Sequence, residues 1–371
     1  MKFPLRHLSD RVRSWLTNLQ LNRHKSFLQS NSDLILRLNS LFDSDVFTCY
    51  SDEQFLKIAR LVDRLVFNRV STPDLSLIFL GLIFYRKNGS LPFESQQALI
   101  RNYELTNGLF QQLFHSALFA IPSKQTISSL PESLVSLSQA QLQQCVIDLK
   151  SEGYSILPTL IPSDVVDRMH DQAFNIPFTP EGSNNAQYIN ISRPPNCNRA
   201  STQLFNLDPQ SSFYHLSDDP LLKSLASEYL SSRCHLVRSS LAVSFPQDSP
   251  TSGSAQYFHY DIDSFRWLKV FVYLTDVSDL TGPHEYIRGS HIPGSKPPEL
   301  LLRNYSRLSD DEIDIHYAPH DRVRVTGPKG TVVLADTRCF HKGNNLHSGY
   351  RLMYQALYAP SDFGYKLGFS S

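Results

Sequence analysis

The chain has 371 residues, of which 41% are hydrophobic and 19% charged, the balance of a soluble globular protein rather than a disordered one. Lys+Arg and Asp+Glu both number 35, so no net field draws the molecule to nucleic acid or to an anionic membrane. The cysteines (Cys49, Cys145, Cys197, Cys234, Cys339) are scattered and form no CxxC. That argues against a disulfide framework or a zinc cluster and fits a reducing, cytoplasmic setting.

The opening segment is basic (Lys2, Arg6, Arg11, Arg13, Arg23, Lys25) but lacks the apolar core of a secretory signal, and reads as a solvated helix face. Phe55, Ile58, Ala59, Leu61, Val62, Leu65 and Val66 recur at helical spacing and make a buried stripe. The run from Leu75 to Tyr85, broken by Ser76 and Gly81, falls short of the roughly 18 apolar residues of a bilayer span and reads as a buried helix. Gln96 to Phe119 reads as another helix, with His115 as a core or interface histidine among Leu113, Phe114 and Leu118. Residues 1–135 are therefore expected to form an all-α extension for packing, for a homo-oligomer or for a partner. The Ser-rich stretch from Ile121 to Gln139, with Pro122 and Pro131, suits a linker into a second domain, 136–371.

From there the texture changes. Leu142 to Lys150 reads as a helix with Gly153 at its C-cap, and Tyr154 to Leu157 as a first strand. Leu236–Phe245, Leu268–Leu274, Thr331–Ala335 and Arg351–Tyr358 follow as short strands between turns, which suggests a β-sandwich or barrel with helices outside it. Pro177 to Asn206 shows little periodicity and reads as a loop covering an active site. Asn190, Ser192 and Arg193 lie on it; Arg193 could meet an anionic substrate, although a surface Arg beside Pro194-Pro195 is the plainer reading.

The chemistry concentrates in Gln256-Tyr257-Phe258-His259-Tyr260-Asp261. In an extended segment, residues two apart share a face, so His259 and Asp261 aim an imidazole and a carboxylate at one point. With a second histidine this is the facial triad of non-haem Fe(II), which leaves positions open for substrate and O2. His341 follows the strand Gly330 to Asp336, and Gly343, Asn344, Asn345 and Gly349 then lead to Arg351. If the chain reverses near Leu346, His341 and Arg351 come side by side across two strands. Arg suits bidentate grip of a planar carboxylate and stays charged when buried.

These segments together resemble the phytanoyl-CoA dioxygenase-like family over roughly residues 142 to 360. The likeness runs from Leu149-Lys150-Ser151-Glu152-Gly153-Tyr154 through His259-Tyr260-Asp261 and the strand Leu268 to Asp276. It continues in Gly282-Pro283-His284-Glu285-Tyr286-Ile287-Arg288-Gly289-Ser290-His291 and ends with His341 and Arg351. The resemblance implies an α+β domain built on a double-stranded β-helix (jelly-roll or cupin-like) with flanking helices. It implies Fe(II) held by His259, Asp261 and His341, and 2-oxoglutarate anchored by Arg351 with Tyr273 beside it. It further implies O2-dependent hydroxylation of an unactivated C–H bond of a small molecule, with decarboxylation of 2-oxoglutarate to succinate. Retention of Asp261 leaves no vacant position for a halide. The alternative is a non-catalytic cupin-like scaffold with the helical half as its partner-binding surface.

Departures and neighbours complete the reading. Arg288 stands where the family has Pro, which alters a turn, and Gly343 stands where relatives can place a hydroxyl toward the cosubstrate. Lys269, Phe271 and Tyr273 share one strand face. His284 could face the pocket mouth, and Gln256 could touch substrate or brace its strand. Asp263 reads as a solvent or turn residue, His291 as structural, and His316, His320 and His347 as surface residues. Asp336 and Arg338 either line the pocket or pair with each other.

Overall fold

The computed structural model describes residues 91–112, 133–157, 160–192, 195–205, 207–246, 254–301 and 307–361, together with Asp74, Leu77, Ile78, Gly81 and His115. The basic opening segment, the stripe from Phe55 to Val66, most of Leu75 to Tyr85, Cys49, Arg193 and most of the Ser-rich linker lie outside the described residues.

The first described helix, α1 (Phe93–Thr106), ends earlier than periodicity suggests. Asn107 adopts a left-handed conformation and Gly108 follows with φ +79°, which breaks the expected Gln96–Phe119 helix. The helix packs on the rest of the molecule: Tyr103 stacks on Tyr260 at 5.3 Å between centroids, and Asn107 Nδ2 donates to Lys296 O at 2.8 Å. His115 is buried, with Nε2 2.9 Å from the Leu230 carbonyl.

Helix α2 (Gln139–Ser151) begins at a capping box in which Ser138 and Gln141 satisfy each other's backbone amides. It stops at Gly153, whose φ of +87° only glycine adopts freely, and the chain turns directly into β1 (Tyr154–Leu157). There follow α3 (Ser163–Ala173), β2 (Thr179–Pro180), β3 (Arg199–Gln203), α4 (Ser212–Ser217), α5 (Pro220–Leu230), β4 (His235–Ser244), β5 (Leu268–Tyr273) and β6 (His284–Ile287). The last elements are α6 (Pro298–Leu301), α7 (Asp310–Asp314), β7 (Arg322–Val325), β8 (Val332–Ala335), β9 (His341–Gly343) and β10 (Arg351–Ala359).

The strands form a seven-stranded sheet in the order β1-β8-β5-β10-β4-β3-β2 and a three-stranded sheet in the order β7-β6-β9, all antiparallel. The two sheets are the α+β, double-stranded β-helix arrangement expected from the sequence. Every residue of β5 is buried because both faces of the large sheet are covered. Leu268, Val270 and Val272 join a core with Leu149 of α2, Met169 of α3 and Leu225 of α5, whereas Phe271 and Tyr273 turn inward against Tyr286 of β6. Strand β3 lies within the segment read as an irregular covering loop. It pairs with β4 from Arg199↔Ser244 to Gln203↔Ser240, which corrects that reading. The described cysteines are all free.

Burial of histidines makes the fold acid-sensitive. His115 is held neutral by burial, its pKa falling to about 3, and His291 likewise falls to about 4. The unfolded chain takes up these protons near pH 6.5. Stability is therefore complete above that pH and falls as pH drops toward the folded values. Urea melts between pH 7 and 4.5 should show the midpoint falling, and His115→Gln should flatten that slope by about 1.4 kcal/mol per pH unit.

Candidate metal centre

The HxD segment is extended but is held by bridges rather than by a regular strand: Phe258 pairs with Leu308, and His259 with His341. His259 and His341 exchange both amide hydrogen bonds, at 2.9 and 2.8 Å. Residues directly opposite in such a pair present their side chains on one face, and the two imidazoles lie 4.3 Å apart between centroids. The Asp261 amide donates to Thr337 O at 2.8 Å, which fixes the backbone from which its carboxylate returns to the same face. One ligand atom from each of His259, Asp261 and His341 lies within 4.8 Å of the others. His259 Nε2 is 4.0 Å from Asp261 Oδ1, and His341 Nε2 is 3.8 Å from Asp261 Oδ2.

Both imidazoles are oriented from behind. His259 Nδ1 lies 2.9 Å from Tyr257 O, and His341 Nδ1 lies 3.0 Å from Cys339 O. A carbonyl can only accept, so each Nδ1 carries the hydrogen and each Nε2 keeps its lone pair for the site. Burial lowers the pKa of both histidines and favours the neutral form that a metal needs. Burial raises the Asp261 carboxyl, but the Lys269 ammonium, by its charge and its hydrogen bond, works against burial and favours the ionised group. Lys269 Nζ is 2.5 Å from Asp261 Oδ2 and 3.2 Å from Asp263 Oδ2. Sequence reasoning set Lys269 on one strand face with Phe271 and Tyr273 without seeing this partner, and read Asp263 as a solvent or turn residue when it braces the same lysine.

Arg351 is 7% exposed, and its Nη1 has no hydrogen-bond partner among the described residues. Burial, with a smaller push from the Arg199 charge, draws its pKa down to about 10. His341 and Arg351 are not cross-strand neighbours, contrary to the hairpin expectation. Strand β9 pairs with β6, while β10 pairs with β4 and β5, so the turn through Leu346 carries the chain from one sheet to the other. The guanidinium still arrives beside the ligand strand: a Cβ at Gly343 would lie 3.2 Å from Arg351 Nη2. The absent side chain at Gly343 is what admits the arginine.

Other buried polar atoms without partners surround this space, namely His284 Nδ1, Tyr286 OH and Gln256 Oε1. Such atoms are usually bonded, and each of these is available to a polar ligand. Tyr286 stacks on His341 at 5.8 Å, and His284 lies 6.0 Å from the Tyr273 ring. Tyr286 carried no signal in the sequence beyond its place before Gly289-Ser290-His291. Tyr273 is fully buried and faces inward as expected, but its hydroxyl donates to Val325 O at 3.0 Å.

The remaining candidates lie elsewhere. Asp336 and Arg338 pair with each other in the interior, and His291 sits 3.6 Å from Cys339 Sγ. Asn190, Ser192, His316, His320 and His347 are exposed. Two clefts of about 580 and 630 Å³ open on the outer side of the small sheet, where Arg322, Glu285, Lys342 and Asp310 pair with one another. They do not reach the triad.

A double-stranded β-helix whose two sheets meet at a two-histidine, one-carboxylate cluster defines a class of metal-site protein, and comparison places the chain within it. The family model described as Phytanoyl-CoA dioxygenase (PhyH) matches residues 149–352, more than half of the chain, and the chain belongs to that family. Among solved structures it is similar to the epimerase SnoN from nogalamycin biosynthesis, at 16% identity over 60% of this chain and 84% of that one, with a TM-score of 0.44. HygX from Streptomyces hygroscopicus, solved with nickel and 2-oxoglutarate, shows 17% identity over 61% and 88%, with a TM-score of 0.44. EctD from S. alaskensis with bound Fe shows 20% identity over 65% and 83%, with a TM-score of 0.43. No curated protein sequence matches.

Proposed function

We propose that this chain is an Fe(II)- and 2-oxoglutarate-dependent dioxygenase that hydroxylates an unactivated C–H bond of a small molecule and forms succinate. The observation that carries the reading is the meeting of the ligand cluster and an unpaired buried guanidinium at one set of strands. Two neutral imidazoles and one carboxylate suit Fe(II), and Arg351 offers the charge and planar fork that the far carboxylate of a chelating diacid requires. When bound, iron and 2-oxoglutarate supply O2 activation coupled to decarboxylation.

The chain's own part is positioning. The Tyr257 and Cys339 carbonyls fix the tautomer of His259 and His341. Lys269 occupies Asp261 Oδ2 and leaves Oδ1 toward His259 Nε2, so the carboxylate is steered rather than free to rotate. Phe271, Met353 and Val333 form an apolar stretch of wall within the same buried cluster as Tyr286. A non-catalytic scaffold gains nothing from an unpaired buried guanidinium, which lowers stability until an anion meets it.

The proposal extends to a cytoplasmic enzyme acting on a small molecule, with the N-terminal 1–135 as a helical extension that α1 ties to the rest of the molecule and that serves a partner or second copy. Among the described residues no helix is long and apolar enough to cross a membrane. The test is succinate formation by the Fe(II)-loaded protein across a metabolite set, with product analysis to distinguish hydroxylation from desaturation. Failure of the purified protein to bind iron would sink the reading. Gly343→Val should push Arg351 from its place and weaken 2-oxoglutarate binding about tenfold by calorimetry, with metal affinity unchanged.

A further inference from the structure

The strand hidden in the supposed covering loop lines the interior. The registers set Arg351, Ser244 and Arg199 in one cross-strand row, then Met353, Ala242 and Ser201, then Gln355, Ser240 and Gln203. Residues of one row share a face. On β5 and β8 that face is apolar at Phe271, Tyr273, Val333 and Ala335. On β10, β4 and β3 it is mostly hydroxyl, amide and guanidinium. Ser201, Gln203 and Gln355 keep intermediate exposure, as the wall of a cavity open to solvent would.

Arg199 is the residue this wall leaves unexplained. It makes no side-chain hydrogen bond or ion pair among the described residues. Burial pulls its pKa below the usual value; the acids that act on it are the exposed Glu181 and the metal-site Asp261, while Arg238 opposes. Arg351 and His284 feel its charge in turn. With iron, 2-oxoglutarate, Asp261, Asp263, Lys269 and Arg351 all in place, the formal charges of that group would balance, and Arg199 would be left with only the exposed Glu181 carboxylate, which makes no ion pair with it. Gln203 is engaged by Arg238 at 2.7 Å and does not reach for it.

We propose that Arg199 is the receptor for an oxyanion, a carboxylate or phosphate, on the primary substrate, and that Ser201, Ser240 and Gln355 floor a subsite for its polar body. This rests on the oxygenase reading and narrows it: the substrate is a small, polar, anionic molecule, not a long aliphatic chain. Its reacting carbon sits on the metal side of the row.

The experiment uses full-length protein loaded with Ni(II) and saturating 2-oxoglutarate, so that Arg351 is already engaged. Glycolate and inorganic phosphate are titrated separately by calorimetry, with acetamide as the neutral control. One of the two anions should bind saturably where acetamide does not, and which one responds distinguishes carboxylate from phosphate. Arg199→Gln should weaken that binding about tenfold or more while 2-oxoglutarate affinity stays within about twofold, and Arg199→Lys should retain part of it. Absence of any Arg199-dependent anion binding overturns the proposal. So does a loss of 2-oxoglutarate affinity in Arg199→Gln as large as in Arg351→Ala, which would move the residue to the cosubstrate. Failure of wild-type protein to bind 2-oxoglutarate is a different result, read in the first titration, and defeats the oxygenase reading itself.

Discussion

Asp261→Ala should abolish metal binding and, with it, all 2-oxoglutarate consumption. Asp261 is the one anionic donor in the cluster, and it lies between the two imidazole nitrogens at 4.0 and 3.8 Å. Without it, two neutral imidazoles face Lys269, whose ammonium then opposes a divalent cation across a few ångströms of poorly screened space. A loss of about 4 kcal/mol in metal affinity corresponds to roughly a thousandfold, enough to empty the site at micromolar iron. His259→Ala should act similarly, with one addition: the vacated imidazole leaves the Tyr257 carbonyl without its donor. Metal content by atomic absorption and Mn(II) titration by electron paramagnetic resonance read the effect independently of turnover. Stoichiometric iron retained by Asp261→Ala would remove Asp261 from the ligand set.

Arg351→Ala should leave the metal in place and weaken 2-oxoglutarate by roughly 30- to 5,000-fold. Truncating one partner of a buried, hydrogen-bonded charge pair costs about 2–5 kcal/mol, and the guanidinium here is 7% exposed with an unfilled donor. Arg351→Lys keeps a charge but not the planar fork, and should recover only part of the affinity. Anaerobic calorimetry on the Ni(II)-loaded protein checks both variants. Equal 2-oxoglutarate affinity in wild type and Arg351→Ala would place the anchor elsewhere. Metal affinity unchanged across this pair, against its loss in Asp261→Ala, separates the two halves of the site.

The two variants concern residues that the sequence made visible for different reasons. HxD spacing places two donors on one face of any extended segment, so His259 and Asp261 could be read locally. His341 and Arg351 were visible through residue chemistry and family likeness, yet the geometry inferred for them was wrong. Their strands belong to different sheets, and pairing between distant segments leaves no trace in local spacing. Strands such as Leu268–Tyr273 were legible because both of their faces are buried and their residues are apolar or aromatic. Strand Arg199–Gln203 was not, because its inward residues are Arg199, Ser201 and Gln203, and a polar cavity wall looks like a loop. The same property that hid the strand makes it a candidate substrate surface. Lys269 shows the remaining gap: its face was inferred correctly, but which carboxylates it meets depends on a segment that is not a regular strand.

The double amide exchange between His259 and His341 has a consequence for how the centre is lost. These residues are far apart in sequence, and a register slip of one position at either would turn an imidazole to the opposite side. A bound cation would therefore fasten two remote stretches of chain like a rivet, and it could leave only when that bridge parts. Iron release would then keep time with local opening, and the deuterium uptake of those two amides would run at the same rate.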